Sequence, residues 1–263
     1  MKTGYKDRAL WQELLHAAAP ALIYTVLTNA VHTMLAVSGL FSSRILLQTI
    51  SVSVCLLFFG WYAYRAGVTV RSRKRGIFRY PAAFCYVMAV VLCGVLNNYL
   101  FSMVMSMVEE FSSGYWQVVQ VFYNNDLWIE ILTLCIIGPI AEELVYRGFV
   151  YQRLQEHSSE TAAAVWSALL FGVMHLNLVQ GVYAFVLGIL LAHIVHKTGS
   201  LFTAAAAHMA ANFVSVPWTE TDWLDFLNQS GNRQYAAAAL CLALMGIFLS
   251  YGNQLMRHEK KQG

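Results

Sequence analysis

The sequence predicts an all-α, polytopic membrane protein of about eight transmembrane helices. Three observations carry that fold class. The 263 residues are 58% hydrophobic and only 12% charged, with a mean hydropathy of +0.53. A soluble domain carries about a quarter charged residues, so there are too few here to cover a globule. The apolar residues come in blocks close to the ~20 residues that a helix needs to cross lipid. The basic residues, finally, fall almost entirely at one set of block ends, as membrane topology requires.

The candidate spans are 12–39, 45–64, 81–107, 127–150, 162–178, 181–196, 200–216 and 234–252. The first is long and contains Pro20, which predicts tilt or a kink. The fourth contains Gly138-Pro139 and should bend there, because proline removes a backbone donor and clashes with the preceding turn. The sixth and seventh are short, and His196-Lys197-Thr198-Gly199-Ser200 is the break between them. Segment 217–232 reads as an amphipathic loop over the membrane surface. No internal repeat or low-complexity linker divides the chain, so residues 1–263 read as a single integral membrane domain. A charged start followed by a long span, without a small-residue cleavage pattern, reads as a first transmembrane helix rather than a cleavable signal.

With both termini inside, Lys2, Lys6, Arg8, Arg65, Arg71, Arg73, Lys74, Arg75, Arg79, Arg147, Arg153, Lys197, Arg257, Lys260 and Lys261 share the cytoplasmic half. Of 17 basic residues only Arg44 and Arg233 remain outside. The outer loops carry Glu109, Glu110, Asp126, Glu220, Asp222 and Asp225 instead. The positive-inside rule therefore favours an even number of spans with cytoplasmic termini. The net charge of +3 gives no reason to invoke nucleic acid. The basic block Arg71–Arg79 reads as a topology anchor that touches anionic headgroups of the bilayer. The five cysteines (Cys55, Cys85, Cys93, Cys135, Cys241) all fall within spans, without the spacing of a zinc site or redox pair. They read as small hydrophobes.

Three polar fragments interrupt this apolar chain: Glu142-Glu143-x-x-x-Arg147, Phe171-x-x-x-His175 and His208-x-x-x-Asn212. Each ionisable group in a bilayer costs on the order of 2.5–3.5 kcal/mol even on lenient scales. Such a set is most simply explained by convergence on one polar cavity. Adjacent helix positions point about 100° apart, so Glu142 and Glu143 need not share a role. Glu143 and Arg147 stand at i,i+4 with the acid first, the favourable order for an intrahelical ion pair. That pair leaves Glu142 for a different partner, and a carboxylate in a partly wet cavity suits a general base. A plainer reading leaves both glutamates at the cytoplasmic interface with Arg147. Phe171 and His175 lie one turn apart on one face, where a histidine can equally be a satisfied core residue. His208 and Asn212 sit amid Ala204–Ala207 and Ala210–Ala211. Small residues let helices approach closely, so a plain interhelical hydrogen bond is the alternative there. His193 and His196 read as surface or supporting residues, and His16 and His32 show no partner pattern. At 1.5 Å per residue His208 lies about 12 Å and Glu142 about 16 Å from the cytoplasmic ends of their spans. His175 comes out deeper, near about 20 Å, unless residues 158–165 form an interfacial elbow.

The order of these motifs on membrane helices resembles the CPBP family, the type II CAAX prenyl endopeptidases and bacteriocin-processing Abi proteins. The resemblance covers residues 130–216, within a signature-bearing core at 127–216, and the remaining spans carry no signature. It implies an intramembrane endopeptidase with a conical catalytic cavity facing the cytosol. Its substrate would be a membrane-associated peptide or small protein: a CAAX-type protein, leader, bacteriocin or signalling peptide. By resemblance Glu142 activates water, His175 helps to hold it, and His208 and Asn212 stabilise the oxyanion. Glu143, Arg147 and Phe171 are supporting residues. Two histidines and a glutamate also match a zinc-hydrolase ligand set, so Glu142, His175 and His208 are the ligands if a divalent metal such as zinc is used. No HExxH helix is present, and the same four residues can act without metal. The resemblance fits a bacterial plasma membrane. The alternative function is a non-catalytic bacteriocin self-immunity or scaffold protein of the same fold. A transporter is disfavoured because the polar cluster is confined to spans four, five and seven rather than repeated in matching halves.

Overall fold

The computed structural model describes residues 3–68, 79–105, 126–220 and 232–262, and every regular element among them is helical. Helices α1 (Thr3–Ser38), α2 (Arg44–Ala66) and α3 (Arg79–Met105) come first. Residues 127–157 then form one helical path that changes its winding. It runs through α4 (Leu127–Glu130), the π-helical π1 (Ile131–Ile137), α5 (Gly138–Glu143), π2 (Leu144–Tyr151) and α6 (Gln152–His157). Helices α7 (Glu160–Val173), α8 (Leu178–Thr198), α9 (Leu201–Glu220) and α10 (Asn232–Gln262) follow.

Each sequence-derived span lies on one of these paths. Five hold helices long and apolar enough to cross a membrane: Gln12–Ser38, Arg44–Ala66, Tyr80–Leu100, Leu178–Thr198 and Tyr235–Glu259. Glu160–Val173 and Leu201–Val216 are apolar but shorter. Five of the eight sequence-derived spans thus hold a helix of full crossing length among the described residues, and hydropathy does not register the backbone breaks that shorten the others. Helix α1 continues through Pro20. The break expected at 196–200 is present, with Gly199 at φ 60 taking the last turn of α8 onto its cap. Residues 217–220 continue α9 rather than forming a loop. Residues 221–231 of the expected outer loop, and 71–78 of the basic block, lie outside the described residues.

The fifth span needs the largest correction. Helix α7 begins at Glu160, where the Ser159 side chain accepts from Ala162 N, so no elbow over 158–165 delays it. It ends at Val173, and its 14 residues reach about 21 Å, less than the ~30 Å hydrocarbon thickness. His175 thus sits in the turn after the helix. Leu176 there adopts φ 54, a left-handed conformation rare for a side-chain-bearing residue. Asn177 then caps α8 by accepting from Val179 N and Gln180 N. Irregular backbone is tolerated at membrane depth where it lines a cavity, and Met174, His175 and Leu176 do line one.

The packing holds this break in place. Helix α3 packs against α8, α9 and α10, and α7 pairs with α8. The α7–α8 approach is close: a Cβ on Gly172 would sit 2.5 Å from Gly181 O, and one on Gly188 would meet Ala168 Cβ at 2.9 Å. Small residues at such points permit backbone approach. The α5 segment packs on α2 and α9, while π2 packs on α1 and α7. Arg153 and His157 of α6 both reach Glu13 of α1, at 2.9 and 3.4 Å.

Candidate active site

Gly138 and Pro139 create the local geometry of the glutamate pair. Gly138 N–H donates to Thr133 O, one residue further back than an α-helix would place it. A Cβ at position 138 would lie 2.9 Å from that oxygen, so glycine is required for this winding. The carbonyl of Leu134 is then left without a helical donor: Gly138 N–H is engaged elsewhere, and Pro139 has none. Asn212 supplies the donor from α9, with Nδ2 2.7 Å from Leu134 O. The expected proline bend thus appears as a π-helical segment closed by a side chain from another helix. Such segments occur often at functional sites.

Glu142, His175, His208 and Asn212 line a single cavity of about 450 Å³. Phe171 lines it too, while Glu143 and Arg147 are buried behind it. Arg147 Nη1 lies 3.0 Å from Glu143 Oε1, the i,i+4 pair that the spacing predicted. The Glu143 carboxylate also accepts from His208 Nδ1 at 3.0 Å. An acceptor there makes Nδ1 the protonated nitrogen and leaves Nε2 facing Glu142 Oε2 at 3.8 Å. That separation exceeds a hydrogen bond, so Nε2 is uncommitted. His175 Nδ1 donates to Phe171 O at 2.7 Å, which likewise leaves its Nε2 unspent.

Phe171 holds the arrangement together. Its ring centroid lies 4.9 Å from that of His175 and 5.9 Å from that of His208, both edge-on. Arg147 Cζ stands 4.6 Å above the same ring, a cation–π contact in a desolvated setting. Tyr146 packs on it at 4.8 Å, and Ser167 Oγ donates to Tyr146 O. The corrected position of His175 therefore keeps its contact with Phe171, through a carbonyl instead of a shared helical face.

Among the described residues no three His, Cys, Asp or Glu side chains form a group that could hold a metal ion. The candidate ligands Glu142, His175 and His208 share the cavity without meeting that condition, and no step below is assigned to a metal. His193 bonds Asn253 Oδ1 at 3.0 Å and His196 meets Glu160 at 2.8 Å, both outside the cavity lining. The described cysteines are free, and all but Cys241 are buried. The neutral amides Gln48, Asn97, Asn98 and Gln180, which belong to none of the three motifs, also line the cavity. Their signal was the presence of side-chain amides inside apolar spans.

Comparison with known proteins bears on this stretch. The family model for Rce1-like type II CAAX prenyl endopeptidases matches residues 124–214. A curated Bacillus subtilis (strain 168) protein, "Putative membrane peptidase YdiL", is 27% identical over 119 residues, 45% of this chain. The aligned region spans 46% of that relative. No solved structure matches. The resemblance read from the three motifs is thereby matched: the stretch that resembles the Rce1-like type II CAAX prenyl endopeptidase model, residues 124–214, contains all three.

Proposed function

We propose that this chain is an intramembrane endopeptidase that hydrolyses a peptide bond in a membrane-associated peptide or small protein. The observation that carries the reading is the joint lining of one cavity by Glu142, His175, His208 and Asn212. Peptide hydrolysis needs a base for water, a proton for the leaving amine and donors aimed at the developing oxyanion. Glu142 takes the proton of a water that His175 Nε2 helps to hold, and later returns it to the amine. His208, fixed through Nδ1 by Glu143, donates from Nε2 to the oxyanion when that nitrogen is protonated. Asn212 uses one N–H on Leu134 O and has a second for the same oxyanion. The Glu143–Arg147 pair and Phe171 hold these groups in register.

The proposal extends to topology: a single multi-pass domain with cytoplasmic termini and a cavity open to the cytosol, supported by the basic-residue bias. It fits a bacterial plasma membrane and a CAAX-type, leader, bacteriocin or signalling substrate. The test is peptide-level comparison of membranes carrying the intact chain or Glu142→Ala. The proposal expects a fragment that disappears in the variant, whereas identical peptide profiles contradict it. Chelation should leave this cleavage within about twofold; loss that added zinc restores would assign a metal to Glu142, His175 and His208.

A further inference from the structure

Three neutral amides from three different helices also line the same cavity. Gln48 comes from α2, Asn97 from α3 and Gln180 from the first turn of α8, and all three line it. Their side chains make no hydrogen bond to a described residue, yet none has a fully buried unsatisfied atom. Their amide atoms therefore keep accessible surface, and the cavity that all three residues line is the space they share. The neighbouring amides are already engaged: Asn98 Nδ2 donates to Ser215 Oγ at 3.4 Å, Asn29 Nδ2 donates to Thr25 O at 2.8 Å, and Asn212 holds Leu134 O. Side-chain amides inside membrane helices are costly when unpaired. Three of them lining one cavity, contributed by three helices, call for a ligand that offers both donors and acceptors.

We infer that Gln48, Asn97 and Gln180 are a subsite for the main chain of an extended peptide segment that carries no acidic side chain. The inference rests on the peptidase reading and names its substrate class. A helical substrate has already spent its backbone N–H and C=O groups internally, so it offers these amides nothing. An unwound strand presents both groups, and each side-chain amide can answer with its carbonyl and its NH2. Within the lining, Glu142 is the one acidic group and no lysine or arginine appears among the described residues. An acidic substrate side chain would meet repulsion from Glu142 without a compensating cation. The substrate class is thus a locally unfolded stretch of chain without acidic side chains.

The test uses the full-length protein in proteoliposomes with an internally quenched library of short peptides having uncharged cores. Gln48→Met, Asn97→Leu and Gln180→Met keep approximate size and remove the amide. Each should raise KM by about fivefold, the scale of one net hydrogen bond, while moving kcat less than about twofold. The best substrate is then resynthesised with single esters in place of amides, which deletes one N–H at a time. One ester should raise KM for the unsubstituted protein and be silent in Asn97→Leu, because the same bond has already been lost. Unchanged KM in all three variants, or losses confined to kcat, would overturn the subsite and leave the peptidase reading intact. If the unsubstituted protein cleaves no peptide, both fall together.

Discussion

One nitrogen of His208 is held by Glu143 while the other faces the cavity, and His175 is divided in the same way by Phe171 O. Each imidazole is oriented through one nitrogen by a neighbouring acceptor, which leaves the other nitrogen without a hydrogen bond. Asn212 divides its amide similarly. Removing it should lower turnover by about 10²-fold, the scale of a lost oxyanion donor. It should also destabilise the protein by about 1–3 kcal/mol, because Leu134 O is left unsatisfied. Pro139→Ala restores a backbone N–H near that carbonyl. The double variant should therefore regain thermal stability in detergent without regaining turnover, and additive stability losses would show that the Leu134 bond has no such role. Arg147→Met leaves Glu143 buried without its cation and should cost about 3–5 kcal/mol. A melting temperature equal to that of the unsubstituted protein would contradict that pairing.

At the scale of elements, the break between α7 and α8 decides where His175 stands. Asn177→Ala removes the cap of α8 and should cost about 1 kcal/mol, read as earlier melting, with a lower cleavage rate as His175 loosens. Gly172→Ala places a methyl against the Gly181 carbonyl. It should cost about 1–3 kcal/mol by overpacking, and a neutral result would mean that the two helices separate freely. The three polar motifs were legible in the sequence because ionisable groups in apolar spans demand a shared explanation, and because i,i+4 spacing pairs Glu143 with Arg147. The end of α7 was not legible. Leu176 is apolar and bears a side chain, so neither hydropathy nor a glycine marks its left-handed turn. Gly138-Pro139 announced a disturbance, but its resolution through Asn212 depends on a helix more than seventy residues away. Gln48, Asn97 and Gln180, unlike Asn212, stand at no helical spacing from a histidine or acidic partner, so no motif marked them.

Across the whole molecule, large apolar side chains such as Leu57, Trp61, Phe202 and Leu240 are exposed among the described residues, while Glu130, Glu143, Arg147 and His208 are buried. The proposed orientation, with both termini in the cytosol, puts Gln155 on the cytosolic side and Ser42 on the opposite one. A membrane-impermeant thiol reagent applied to intact cells should label Ser42→Cys and spare Gln155→Cys, and the reverse pattern would invert the topology. The central claim is chemical: water activated by Glu142 breaks the peptide bond. The most direct measurement is cleavage by purified protein in oxygen-18 water, comparing the unsubstituted chain with Glu142→Ala. The account predicts one labelled oxygen in the new carboxyl group and no fragment from the variant. Undiminished release of the fragment by Glu142→Ala would contradict it.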